Sequence, residues 1–273
     1  VSVCSVRSGQ PGLNAEELKS YKLYLPNLIE QKKIALFISA VDEKLQQLSK
    51  KKELLEDYKK GIMQKIFSQE IRFKDDNGNN YPNWEEGKLN ELVSTPISDG
   101  PHLTPKFIED GVPFLSVNNI VDNKIDFKNV RTISYENHLE FSKKCKPIKN
   151  DLLLGKAASV GKIAIVETDI EFNVWSPLAM IRIKEIYESK YFYFCFQTQT
   201  LQKRIKNFIN SSSQGNIGMG DIGKLIFEFP KSKEEQKKIT TLLSSIDKKI
   251  ESVNHQLEKT KEFKKGLLQQ MFV

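Results

Sequence analysis

Amide, hydroxyl and basic side chains gather in four short, turn-rich stretches of this chain. They are residues 98–106 (Ser-Asp-Gly-Pro-His-Leu-Thr-Pro-Lys), the Ser116, Asn118 and Asn119 group, residues 155–162 (Gly-Lys-Ala-Ala-Ser-Val-Gly-Lys), and residues 210–216 (Asn-Ser-Ser-Ser-Gln-Gly-Asn). Such groups on glycine-rich loops suit phosphate contacts and hydrogen bonding to base edges. Any one stretch taken alone reads more readily as a solvated turn; their coincidence in one basic chain is the stronger sign. The candidate contact residues are His102, Thr104, Lys106, Ser116, Asn118, Asn119, Lys156, Ser159, Lys162, Ser211, Ser212, Ser213 and Gln214.

The charge balance agrees. Forty-two Lys and Arg face 35 Asp and Glu, a formal charge of +7, which favours a polyanionic partner without requiring one. Other chemistries fail on pattern. Gly218-Met219-Gly220-Asp221-Ile222-Gly223 fits the letters of a dinucleotide fingerprint, but it follows a polar loop and leads into an apolar strand-like run, where a true fingerprint follows a strand and opens a helix. In Gly155 to Lys162 the glycine spacing is one too long for a phosphate-binding P-loop, and Ile163 stands where a magnesium-binding hydroxyl belongs. The chain has no Pro-Pro pair, as an amino-methylating active site would need, and no Pro-Asp pair, as the common restriction-nuclease motif would need. His102, His138 and His255 lack metal-ligand spacing; His138 and His255 read as surface residues, and His102 as a loop residue that could face a ligand. Cys4, Cys145 and Cys195 are odd in number and far apart, which argues against a disulfide framework or a zinc knuckle and for a reducing cytoplasm. No cofactor is implied. No apolar run approaches the roughly 20 residues that cross a bilayer, and the first residues carry no secretion signal, so a soluble intracellular protein with no membrane partner is expected. Beginning at Val1, the chain also reads as a fragment.

What must position the loops is a duplication. Glu30-Gln31-Lys32-Lys33-Ile34 recurs as Glu235-Gln236-Lys237-Lys238-Ile239, and the match continues at one offset through Asp42/Asp247, Glu53/Glu258, Lys59-Lys60-Gly61/Lys264-Lys265-Gly266 and Phe67/Phe272. Upstream, Ser8-Gly9-Gln10 pairs with Ser212-Ser213-Gln214, and Pro26 with Pro230, after a one-residue slip. Apolar positions Ile34, Ile38, Val41, Leu45, Leu48, Leu55, Ile62 and Ile66, and in the second copy Ile239, Leu243, Ile246, Ile250, Val253, Leu257, Leu267 and Met271, follow heptad spacing. A helix of about 38 residues is about 57 Å long, too long for one compact domain to cover. Each copy is therefore expected to pack on the other, and packing by the same face across a pseudo-two-fold axis makes the pair antiparallel. Lys52, Lys59 and Lys264 fall on the seam, where a polar group sets register at some cost in stability. Gly61 and Gly266 suggest a kink or a close partner approach.

Between the helices, residues 74–83 are dense in turn formers and read as a linker. From Trp84 to Phe229 the pattern is mixed: residues 112–117, 162–166 and 178–183 read as short strands and residues 187–208 as one or two helices, giving an α+β class.

Together these features resemble the DNA-specificity subunits of type I restriction-modification enzymes. The resemblance rests on Pro82-Asn83-Trp84-Glu85-Glu86-Gly87-Lys88-Leu89, Gly111-Val112-Pro113-Phe114-Leu115, the Gly161-Lys162 pair, the Ser-Ser-Gln loop, and above all Pro230 followed by Glu235-Gln236-Lys237-Lys238-Ile239 and a helix to Phe272. It implies the tail of a truncated first recognition domain at 1–25, a central conserved helix at 26–73, a linker at 74–83, a DNA target-recognition domain at 84–229, and a second conserved helix at 230–273. It further implies a non-catalytic subunit that reads one half of a bipartite site in double-stranded DNA. Its partners would be methyltransferase (modification) subunits, a restriction/translocase subunit through the complex, and a second chain supplying the other half-site. The rival reading is a coiled-coil adaptor with a globular insert and no DNA recognition.

Overall fold

A computed structural model of the protein describes residues 25–210 and 215–271, with residues 15, 19 and 20. Two helices dominate it, α1 (Leu28–Phe67) and α7 (Lys233–Met271), one for each copy of the repeat. Each begins with the same device. Asn27 Oδ1 accepts the Glu30 N–H at 3.0 Å and Gln31 Nε2 donates to the Pro26 carbonyl at 2.7 Å; in the second copy Ser232 Oγ accepts the Glu235 N–H at 3.4 Å and Gln236 Nε2 donates to the Pro230 carbonyl at 2.8 Å. Asn and Ser are good N-caps because their short side chains satisfy amide groups that the first helical turn leaves unpaired. No helix among the described residues is long and apolar enough to cross a membrane.

The described residues fall into two compact units, those within 1–53 and 252–273, and those within 54–251. In the first, α1 and α7 pair antiparallel: Lys264 Nζ binds Asp42 Oδ1, and ten residues up α1 and down α7, Lys52 Nζ donates to Asn254 Oδ1 at 2.9 Å. Val41, Leu48, Val253 and Leu257 are buried there. In the second unit Lys59 Nζ meets Asp247 Oδ1 at 2.7 Å. The repeat equates Asp42 with Asp247 and Lys59 with Lys264, so the Lys264–Asp42 and Lys59–Asp247 pairs are one interaction with the copies exchanged, the signature of an isologous contact. Each of the three seam lysines thus pairs across the seam with a polar group of the other helix.

In the second unit, Trp84 to Pro230 form the α+β domain. Strand β1 (Trp84–Lys88) pairs antiparallel with β12 (Ile226–Pro230), Trp84 opposite Pro230, so the first and last residues of the domain are zipped together. One four-stranded sheet has the order β2 (Ser98–Asp99), β11 (Leu178–Ile181), β8 (Leu152–Gly155), β9 (Ile163–Ile165). The other runs β10 (Asn173–Val174), β4 (Val112–Leu115), β7 (Arg131–Ile133), β3 (Phe107–Ile108), and β5 (Ile120–Val121) pairs with β6 (Lys124–Ile125). Short helices α2 (Leu89–Leu92), α3 (Tyr135–Ser142) and α6 (Met219–Gly223) punctuate the strands, and the stretch from 187 to 208 resolves into α4 (Ser189–Phe196) and α5 (Gln199–Asn210). The first sheet is buried on both faces. Leu152, Leu154, Ala179 and Ile181 join a core with Tyr191, Phe192, Phe194 and Phe196 of α4 and with Ile239, Leu243 and Ile246 of α7. Their alternates Leu153, Leu178 and Met180 join a second core with Leu115, Phe172 and Val174. The turn-rich residues 74–83 are ordered by Asp75, whose Oδ1 accepts the N–H groups of Asn77 at 2.9 Å and Asn79 at 2.7 Å.

Candidate nucleic-acid interface

Strand pairing decides where the candidate loops emerge. Asp99 of β2 lies opposite Ala179, and Gly155 of β8 opposite Leu178, so both strands leave the sheet at the end where β11 begins. Strand β10 arrives at the same place, because the Trp175 N–H just beyond it bonds to the Leu115 carbonyl at the end of β4 at 2.8 Å. The loops after β2, β4 and β8 therefore share one neighbourhood.

Hydrogen bonds knit them together. The loop from 155 to 162 closes on itself, with the Gly155 N–H on the Lys162 carbonyl at 2.8 Å and the Gly161 N–H on the Gly155 carbonyl at 2.9 Å. Gly161 has φ +90°, a conformation strained for any side-chain-bearing residue, and Gln202 Nε2 donates to its carbonyl at 3.0 Å. Lys162 Nζ reaches the Ile120 carbonyl at 3.1 Å, tying this loop to the start of β5, directly after the turn that follows β4. The Ile217 N–H bonds to the Lys156 carbonyl at 3.0 Å and ties in the segment following residues 211–214. Ser211, Ser212, Ser213 and Gln214 themselves lie outside the described residues.

The candidate residues differ in availability. His102, Thr104, Lys106 and Asn118 are exposed. Ser116 and Asn119 serve their own turn: Ser116 Oγ accepts the Asn118 N–H at 3.3 Å, Asn119 Oδ1 accepts the Ser116 N–H at 2.9 Å, and Asn119 Nδ2 donates to the Asp126 carbonyl at 3.3 Å. Ser159 is half-buried, and the Lys156 side chain is 13% exposed. Lys156 Nζ is held 3.2 Å from Asp99 Oδ2, a carboxylate that also binds Lys144 Nζ at 2.5 Å and His102 Nε2 at 3.3 Å. Sequence reading passed over Lys144 and Asp99: neither residue type nor spacing links positions 45 residues apart, and only the fold joins them.

Burial alone would raise the Asp99 carboxyl, but the hydrogen-bonded ammonium groups of Lys144 and Lys156 outweigh it and hold it below the usual carboxylate range. A depressed folded value contributes stability above the unfolded pKa of about 3.9 that is lost as pH falls through the folded one. Wild type is thus expected to exceed Asp99→Asn in urea midpoint at pH 6, with the gap shrinking below pH 4; a gap independent of pH would refute the ion cluster.

His138 corrects its reading as a surface residue. It sits on the inner face of α3, 1% exposed, with Nδ1 at 2.8 Å from Asn173 Oδ1 and Nε2 at 3.6 Å from Glu171 Oε2. One histidine among polar neighbours in a two-turn helix gives no sequence sign of which face turns inward. His255 is exposed. Cys145 and Cys195 are free, buried thiols, and burial raises both, Cys145 to about 11. Among the described residues no cluster of His, Cys, Asp or Glu is arranged to hold a metal ion.

The class this defines is an α+β module, with basic and amide-bearing loops gathered at one sheet end, flanked in sequence by a duplicated long helix. The family model for the Type I restriction modification DNA specificity domain matches residues 2–57 and 81–262. The chain belongs to that family. It is 23% identical to the type I restriction enzyme EcoBI specificity subunit of Escherichia coli over 95% of its length, and 26% identical to the MjaVIII specificity subunit of Methanocaldococcus jannaschii over 96%. It spans 59% and 63% of those relatives. Among solved structures, the S subunit of a type I restriction-modification system from M. genitalium matches with TM-score 0.62 at 18% identity, covering 90% of this chain and 62% of that one. A structure described as bearing on assembly and conformational transition of the type I system matches with TM-score 0.58 at 17% identity, covering 99% of this chain and 66% of that one. At such identities the likeness is one of fold.

Proposed function

We propose that this chain is a cytoplasmic, non-catalytic specificity module that reads one half of a bipartite site in double-stranded DNA and leaves methylation and cleavage to partner subunits. The observation that carries the reading is the convergence of the loops after β2, β4 and β8 at one sheet end, with His102, Thr104 and Asn118 exposed on those loops and Lys106 exposed where the first of them runs into β3. Lys106 is the phosphate contact, reached without breaking an internal bond that the fold needs; Lys156 and Lys162 first hold the loops in place. Ser211, Ser212, Ser213 and Gln214, outside the described residues, are the proposed base readers. Family membership supports the reading, and the proposed partners are methyltransferase subunits on the outward faces of α1 and α7, a restriction subunit through the complex, and a second half-site reader from another chain.

Salt dependence tests it. Each phosphate neutralised contributes a slope of about −0.9 to log K against log salt. In complex with its methyltransferase subunit the chain should bind duplex DNA with a steep slope, and Lys106→Ala should make that slope shallower by about 1 while weakening all sequences alike. An adaptor would show no slope. Failure to bind duplex DNA at low salt with those partners present would overturn the proposal.

A further inference from the structure

The loop after β2 is fastened at both ends and bare in the middle. At its start, Gly100 leaves no room for a side chain: a Cβ there would lie 1.6 Å from the Val174 carbonyl oxygen. The Pro101 carbonyl accepts the Ser176 N–H at 3.2 Å. Directly before it, Asp99 is locked by Lys144 and Lys156. At its end Pro105 is buried. Two prolines fix φ on either side of three exposed residues, His102, Leu103 and Thr104. Leu103 is 63% exposed.

A single exposed leucine is ordinary on a protein surface, so exposure by itself decides nothing. Here the backbone is fixed on one side by Gly100 and the Pro101 carbonyl and on the other by buried Pro105, and basic groups flank the tip: Lys144 and Lys156 on Asp99, three residues before His102, and exposed Lys106, three residues after Leu103. Basic groups that seat on phosphates would bring this tip to the groove between them. A tip braced at both ends loses less conformational freedom on binding than an open loop would.

We infer that Leu103 is a specificity-determining residue: the tip from His102 to Thr104 enters a groove of the duplex and Leu103 makes an apolar contact with a base step. The inference rests on the DNA-reading proposal. Two sources of that contact share its chemistry, a thymine methyl group or a step opened by an apolar wedge.

The test uses the chain in complex with its methyltransferase subunit and duplex oligonucleotides carrying the site mapped from methylation in a host genome. Leu103→Ala should lose about tenfold in discrimination between the mapped half-site and singly substituted versions, the scale of one base-pair readout. Its salt slope should stay that of wild type, and Leu103→Met should restore discrimination. Uracil in place of thymine mimics the Ala variant if the methyl group is the contact; rising 2-aminopurine fluorescence on binding marks a wedge. Unchanged discrimination in Leu103→Ala overturns the inference and leaves the DNA-reading proposal standing, as does a loss of discrimination accompanied by a loss of slope, which reports a collapsed loop. Failure of wild type to prefer any site overturns both.

Discussion

Removing the Glu235 carboxylate is expected to destabilise the domain by about 3 kcal/mol, whereas the same change at its repeat counterpart Glu30 should fall within about 0.5 kcal/mol of wild type. Glu235 is fully buried, and its two oxygens accept from Arg72 Nε at 3.1 Å and an Arg72 terminal nitrogen at 2.8 Å, with Trp84 Nε1 at 3.4 Å. Taking away one member of a buried pair strands the other charge, which costs about 3–5 kcal/mol. The low end applies because Arg72 is 24% exposed and also donates to the Pro82 carbonyl at 2.6 Å. Glu30 is exposed, so Glu30→Ala removes only a solvated charge near a helix start. Urea unfolding of Glu235→Ala and Glu30→Ala, followed by tryptophan fluorescence, checks the contrast, since Trp84 touches both Glu235 and, edge-on at 6.1 Å, the Tyr191 ring. Equal midpoints would mean that Glu235 adds nothing through its burial.

That contrast also shows what a repeat does and does not disclose. The heptad spacing foretold the antiparallel pairing and the seam lysines, because period and duplication are properties of the string itself. It could not foretell that equivalent positions would differ in burial. Ile34 and Ile38 are half-buried, while Ile239 and Leu243, their counterparts, are 1% and 0% exposed because the aromatic residues of α4 and the strands of the first sheet share that stretch of seam. Strands 112–115, 163–165 and 178–181 were legible as apolar runs. Strand β8 was not singled out: Leu152-Leu153-Leu154 lacks alternation because its sheet is buried on both faces. In the candidate site, the loops were visible from their glycine, amide and hydroxyl content, but their convergence is a product of strand register. Asp99, which binds groups at 102, 144 and 156, is a long-range hub with no local signature. Ser116 and Asn119 look in sequence like available hydrogen-bonding groups because nothing local reveals that they cap their own turn.

Alanine at Gly100 and alanine at Gly61 should act in opposite directions. At Gly100 a methyl group would overlap the Val174 carbonyl at 1.6 Å and crowd the Trp175 backbone at 3.1 Å. Both obstacles are main chain, fixed by the parallel pairing of β10 with β4, so no side chain can swing aside. The strand ends must part, and a cost of about 3 kcal/mol is expected, the upper range for overpacking. At Gly61 a Cβ would meet nothing within 4 Å, and the helix runs on without a break. Gly61→Ala should therefore stabilise by up to about 1 kcal/mol through helix propensity and a less disordered unfolded chain. The helix is continuous through Gly61, and a gain in stability accompanied by weaker binding of a methyltransferase subunit would identify that open spot as a place of close partner approach. Thermal unfolding of Gly100→Ala and Gly61→Ala gives the signs directly. Because Gly100 anchors the His102 to Thr104 tip, any folded fraction of Gly100→Ala should also have lost site discrimination, while Gly61→Ala keeps it. A Gly100→Ala protein as stable as wild type would mean that the β2 loop is not wedged against β10 and that its tip is free to move.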